Sequence, residues 1–206
     1  MCIRDSSITG GSISYPITYC EINGDDATEL GVIDGLSVTA IPLVHRIPTY
    51  GYVFKENFTK RNIKSDAINA YGLSISEIKL AQNGEDITRD GTVIANDKLT
   101  YGPKPSRSFA YCTDTMYEPK IVPHIKSVNL LYHEATYLDE LRDKAHERMH
   151  ATAREAAQIA RKAEVKKLII GHYSSRYKNL TPLLEEAKLE FDNTQLAIGG
   201  ETHAID

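Results

Sequence analysis

Histidines and carboxylates stand at the ends of apolar runs in this chain. Residues 37–44 run into His45, 108–112 into Asp114, 128–132 into His133 and Glu134, and 167–171 into His172. In open α/β sheets ligands bind at the carboxyl ends of strands, where loops hold side chains against a rigid edge. The recurrence predicts one site assembled from distant segments. Histidine and aspartate are donors that a borderline ion such as zinc accepts. Taken singly, each residue also has an ordinary reading. A strand-end histidine can be structural or exposed, Glu134 a solvated carboxylate, and Asp114 a turn residue between two threonines.

One motif points elsewhere. His146-Glu147-Arg148-Met149-His150 matches H-E-x-x-H, which binds zinc when both histidines share one helix, a turn apart. Thr152 followed by Glu155 is a capping box ahead of an alanine-rich run. The spacing predicts a helix starting at Thr152, with His150 just before it, so a metalloprotease site is not expected.

The elements that must position these residues follow from periodicity. Strands are expected at 17–22, 36–44 and 47–54, the first two joined through a Gly- and Asp-rich connection at 24–35. Residues 55–105 are polar and too long for an ordinary loop, with a short helix and turn expected near 74–84. From residue 107 an α/β rhythm follows: strand 107–112, short helix 118–126, strand 128–132, helical stretch 138–147. Helix 153–163, strand 165–171, helix 181–190 and strand 195–198 complete it.

Composition narrows the class. The 206 residues are 41% hydrophobic and 25% charged, as expected of a soluble globular chain. There is no apolar run long enough for a transmembrane helix, and the opening MCIRDSSITGG has no signal-peptide core. Three scattered cysteines (Cys2, Cys20, Cys112) suit a reducing cytoplasm. The net charge of −4 argues against a globally basic nucleic-acid binder but allows a local patch.

Four segments together resemble the ribonuclease Z family of the metallo-β-lactamase superfamily: PLVHRIPTYGYVFKE, SFAYCTDT, LLYHEATYLDE and RMHATAREAAQIARKAEVKKLIIGHYSSRY. The resemblance covers about residues 15–206 and implies an α/β fold, a partial metallo-β-lactamase αββα sandwich with an inserted flexible arm at 55–105. It implies zinc-dependent endonucleolytic removal of the 3′ trailer from precursor tRNA by a cytoplasmic homodimer. It further implies zinc ligation by His45, Asp114 and His172, with Asp114 bridging two ions. Glu134 and His150 become the pair that protonates the leaving oxygen, and Arg176 faces phosphate unless it pairs with Asp192 or Glu190. Lys55, Lys60, Arg61 and Lys64 give the arm a basic beginning for tRNA, without the family's Gly-Pro-rich tip.

The family's H-x-H-x-D-H motif is absent from these residues. Residues 1–12 match nothing in the family and are expected to be foreign to the fold, with 13–206 as the carboxyl-terminal part of one domain. The expectation is therefore an incomplete zinc site and a chain that is inactive by itself. Two alternatives stand beside it: another phosphodiesterase or arylsulfatase-like hydrolase of the same fold, and a non-catalytic RNA-binding fragment.

Overall fold

The computed structural model describes residues 21–22, 24–57, 60–102 and 105–206. Seven strands form one sheet: β1 (Thr28–Ile33), β2 (Leu36–Leu43), β3 (Thr49–Glu56), β6 (Ser108–Cys112), β7 (Leu130–Glu134), β8 (Lys167–Gly171) and β9 (Thr194–Leu196), hydrogen-bonded in that order. Pairing is antiparallel from β1 through β6 and parallel from β6 through β9. Two reversals, at β2–β3 and β3–β6, leave β2 pointing the same way as β6, β7 and β8. The carboxyl ends of those four strands therefore share one edge, where the polar strand endings lie.

The connection expected at 24–35 contains β1. Asp34 and Gly35, at φ 50° and 80°, form a two-residue hairpin turn into β2. Asp-Gly is a strong signal for such a turn because both central residues take positive φ. The strand expected at 17–22 falls outside the described residues, except for Glu21 and Ile22, which are not in a strand, and 1–12 lies outside them entirely. The helix expected at 118–126 is a single 3₁₀ turn, Pro119–Ile121. Pro123 has no amide hydrogen to extend it.

Helix α5 (Ala153–Lys162) covers one sheet face. Thr152 and Glu155 cap it reciprocally, as their spacing predicts. Its Ala153, Ala156, Ala157 and Ala160 are buried, and their small side chains let the helix approach the sheet. They join Ile159, Leu131, Leu168, Ile170 and Cys112 in the main core. Burial pushes the Cys112 thiol up to about 12 and leaves it an inert apolar group. Helix α6 (Thr181–Lys188) adds Leu183 and Ala187 to this core.

The opposite face carries a row of rings across three strands. Phe54 stacks on Phe109 at 6.1 Å and Tyr111 on Tyr132 at 4.7 Å. Two concavities of about 550 and 380 Å³ lie on this face, away from the strand-end histidines.

The arm region is folded. Helices α1 (Ser65–Ala70), α2 (Ile75–Gln82) and α3 (Asn96–Leu99) and a hairpin of β4 (Ile87–Arg89) and β5 (Thr92–Ile94) share their own small core. Ala67, Leu73, Ala81, Ile87 and Leu99 build it. Ser74 and Glu77 cap α2 at the expected position. Buried Asn96 ties the module together by donating from Nδ2 to the carbonyls of Ala81 and Glu85, at 2.7 and 2.8 Å.

Candidate metal and acid–base site

Hydrogen bonds between loops draw the strand ends together. Met116 N donates to Val44 O at 3.0 Å, and Val44 N to Thr115 Oγ1 at 3.2 Å, joining the His45 and Asp114 loops. Ala135 N donates to Gly171 O at 2.8 Å, and Thr136 N to Ala151 O at 3.0 Å. These place the segments after β7 and β8 against the segment before α5.

Asp114, His150 and His172 then converge, each offering a ligand atom within 4.8 Å of the others. Asp114 Oδ1 and His172 Nε2 are 3.2 Å apart. The His150 ring centroid lies 5.2 Å from that of His172 and 5.4 Å from that of His45. His45 is thus one imidazole away from the cluster, its Nδ1–H donating to Met149 O at 3.1 Å. Asp114, His172 and Met149 all adopt left-handed backbone, at φ 53°, 57° and 60°. Such conformations cost free energy for non-glycine residues and gather at functional sites.

Glu134 is fully buried behind the histidines. It accepts hydrogen bonds from Thr115 N at 2.6 Å, Thr136 Oγ1 at 2.7 Å, Ala151 N at 3.1 Å and His150 Nδ1 at 3.1 Å. Burial by itself would raise its pKa. The hydrogen bonds from His150 and Thr136 outweigh that and hold the carboxyl below its ordinary value. The bond to Glu134 raises the pKa of His150 against a smaller opposing effect of burial. Glu134 Oε2 and the His172 carbonyl, at 2.7 and 2.8 Å, both only accept, so the Thr136 proton goes to one of them and the Thr136 oxygen accepts from His172 Nδ1 at 2.9 Å. The Nε2 lone pair of His172 is thereby turned toward Asp114.

This arrangement fits a metal. Two imidazoles and a carboxylate suit a borderline ion. Both imidazoles in the cluster have the other nitrogen anchored by an outer partner, Glu134 or Thr136, which fixes their orientation. A lone pair of His172 facing an aspartate oxygen at 3.2 Å also calls for positive charge between them.

The remaining candidates are placed as follows. Arg176 is exposed, with its guanidinium over the Tyr137 ring at 5.3 Å. Glu190 pairs instead with Arg161 at 3.0 Å. Lys55, expected at the start of the arm, belongs instead to β3, where it is in register with Ser37 and Ser108. Arg61 donates to Thr100 Oγ1 at 2.8 Å and Lys64 to Asp97 O at 2.7 Å, both within the module. Lys60 is exposed. His133 is fully buried, donates from Nδ1 to Glu134 O, and is kept neutral by burial. His146 binds Glu155 Oε1 at 2.7 Å. Helix α4 (Arg142–Glu147) ends before His150, so the H-E-x-x-H pair does not share a helix. Thr115 and Thr136 were not singled out by sequence, since isolated threonines carry no spacing signal. Thr136 lies within the quoted HEAT segment.

No family model matches the chain. It is 46% identical over 178 residues to ribonuclease Z of Porphyromonas gingivalis strain W83, covering 84% of this chain and 59% of that protein. To ribonuclease Z of Bacteroides thetaiotaomicron it is 41% identical over 187 residues, 90% of this chain and 59% of that protein. The chain is homologous to ribonuclease Z. It spans about three-fifths of the length of these ribonuclease Z relatives. Two solved structures share the fold. The metallo-β-lactamase fold protein YhfI from Bacillus subtilis has a TM-score of 0.55 at 16% identity, covering 84% of this chain and 51% of that one. Human tRNase Z, short form, has a TM-score of 0.52 at 21% identity, covering 88% and 48%. The α/β fold is thus of the metallo-β-lactamase type.

Proposed function

We propose that this chain carries the carboxyl-terminal half of the active site of a zinc-dependent endoribonuclease that removes the 3′ trailer from precursor tRNA. The ribonuclease Z relatives support the activity. The convergence of Asp114 and His172 on the buried Glu134–His150 pair supports the chemistry and is the observation that carries the reading. A divalent ion bound there supplies Lewis-acid charge beside a phosphodiester. His45, from the neighbouring loop, is within reach of the same centre in the complete site.

The chain's own residues have separate tasks. Glu134 orients His150 and favours its protonated form, so His150 can deliver a proton from Nε2 to the departing ribose oxygen. Tyr137 holds the Arg176 guanidinium by its face, which leaves the edge N–H groups for a phosphate. The folded arm module offers exposed Lys60 to the RNA backbone. Homodimer formation and a cytoplasmic setting belong to this reading through the resemblance; among the described residues no helix is long and apolar enough to cross a membrane.

The test is to join the chain to the amino-terminal part of a ribonuclease Z relative and assay it on precursor tRNA. Trailer release that disappears in Asp114→Ala and His172→Ala is expected, with none from the unjoined chain. Binding of tRNA without cleavage by the joined protein would instead favour the non-catalytic RNA-binding reading.

A further inference from the structure

We propose that this chain by itself holds one zinc- or cobalt-type divalent cation on Asp114, His150 and His172, with His150 as a direct ligand. The resemblance gives His150 a proton-donating role and predicts an incomplete site. The geometry adds a third donor in its place.

An ion with ligand bonds of about 2.0–2.2 Å in tetrahedral geometry needs donors about 3.4 Å apart. Asp114 Oδ1 and His172 Nε2 already stand 3.2 Å apart, and His150 brings its ligand atom within 4.8 Å of both. His150 lies in the segment between α4 and α5, at the end of a left-handed Met149, so a small ring movement closes the gap. Its Nδ1–H is committed to Glu134, which leaves the Nε2 lone pair for a metal. This is the carboxylate–histidine–metal arrangement that typically orients such ligands. His172 has the equivalent support from Thr136. Three protein ligands meet the usual number for a zinc site with an open fourth position. His45 stays outside the group, and its Nδ1 is tied to Met149 O. In the joined protein His150 leaves the ion and, still bonded through Nδ1 to Glu134, acts from Nε2 as the proton donor.

The proposal rests on reading Asp114 and His172 as ligand positions, but its test involves no RNA, so it can fail independently of trailer cleavage. The metal-free chain is titrated with Co²⁺, read by electronic absorption, and with Zn²⁺, read by calorimetry. One ion per chain is expected. His150→Ala should weaken binding at least 10-fold and Glu134→Gln about 10–100-fold, the usual loss when the outer partner of a ligand is removed. His124→Ala, on the exposed turn after Pro123, serves as control. Near-UV circular dichroism checks that each variant is folded. For a variant that is not, zinc-induced shifts of the His150 ring nitrogens in the unmodified chain give the answer. No saturable binding, or unshifted His150 nitrogens in the zinc-loaded chain, would overturn the proposal. So would a loss in His45→Ala but not in folded His150→Ala, which would place the ion on His45.

Discussion

Thr136 Oγ1 lies 2.9 Å from Nδ1 of His172. The same oxygen is 2.7 Å from Glu134 Oε2, so one hydroxyl links the carboxylate behind His150 to the imidazole facing Asp114. Neither partner can be moved without disturbing the other.

Replacing Thr136 with Val removes this link while keeping side-chain shape. The freed His172 ring and the lost Glu134 hydrogen bond should lower zinc affinity about 10–100-fold. Thr136→Ser, which restores the hydroxyl, should recover most of it. Calorimetric zinc titration of both variants is the check; equal affinity in all three proteins would remove Thr136 from the site's support.

In the joined protein, Glu134→Gln and His150→Ala should each reduce turnover on precursor tRNA by about 10²–10⁴-fold, the usual contribution of general acid–base catalysis. Because the two act as a unit, the double variant should be little worse than either single one. Zinc content, measured beside turnover, should stay near that of the unsubstituted protein. If instead zinc and activity fall together in His150→Ala, His150 remains a ligand in the complete site.

The arm module should respond to acid through Glu77. Arg89 and the Ser74 backbone and hydroxyl pull the Glu77 carboxyl from 4.5 to about 2. A depressed carboxylate contributes stability that is fully present above its unfolded-state value and is lost as pH falls from 4.5 through about 2. Hydrogen exchange at Ala81 and Leu99 should show this loss, and Glu77→Gln should reduce their protection at neutral pH and flatten the dependence. Unchanged protection in Glu77→Gln would show that the Arg89 link does not hold the module.

Gly171→Ala tests how tightly His172 is positioned. A Cβ at Gly171 would fall on the hydroxyl and ring carbons of Tyr132, whose ring is itself stacked on Tyr111. Overpacking of this kind costs about 1–3 kcal/mol. Denaturant unfolding should show that loss, together with weaker zinc binding as the His172 turn shifts. A variant of unaltered stability would mean that Tyr132 swings aside freely.

Much of the architecture was legible along the chain because its signals are local. The Ser74–Glu77 and Thr152–Glu155 capping boxes act over three residues, and both helices begin where that spacing puts them. The Thr152 cap also correctly separates His150 from the helix that bears His146. The alternating and apolar runs at β2, β6, β7 and β8 give strands whose polar endings face one edge. The hairpin turn at Asp34-Gly35 is equally local, but along the sequence it merges with a Gly- and Asp-rich connection that hides β1.

What packing decided lies between segments far apart in sequence. His133 and Glu134 are adjacent, yet His133 is buried with its Nδ1 on a backbone carbonyl while Glu134 supports His150, 16 residues further on. The alternation of side chains along a strand separates neighbours, but which face is covered by a helix depends on the whole sheet. Likewise, four cations near the start of a polar segment read as one basic patch. The folded module instead commits Arg61 and Lys64 to internal hydrogen bonds and leaves Lys55 in β3. The sequence alone determined which residue types reach the sheet edge. The approach of Asp114, His150 and His172 depends on backbone hydrogen bonds between loops and on three left-handed residues, and only the tertiary structure supplies these.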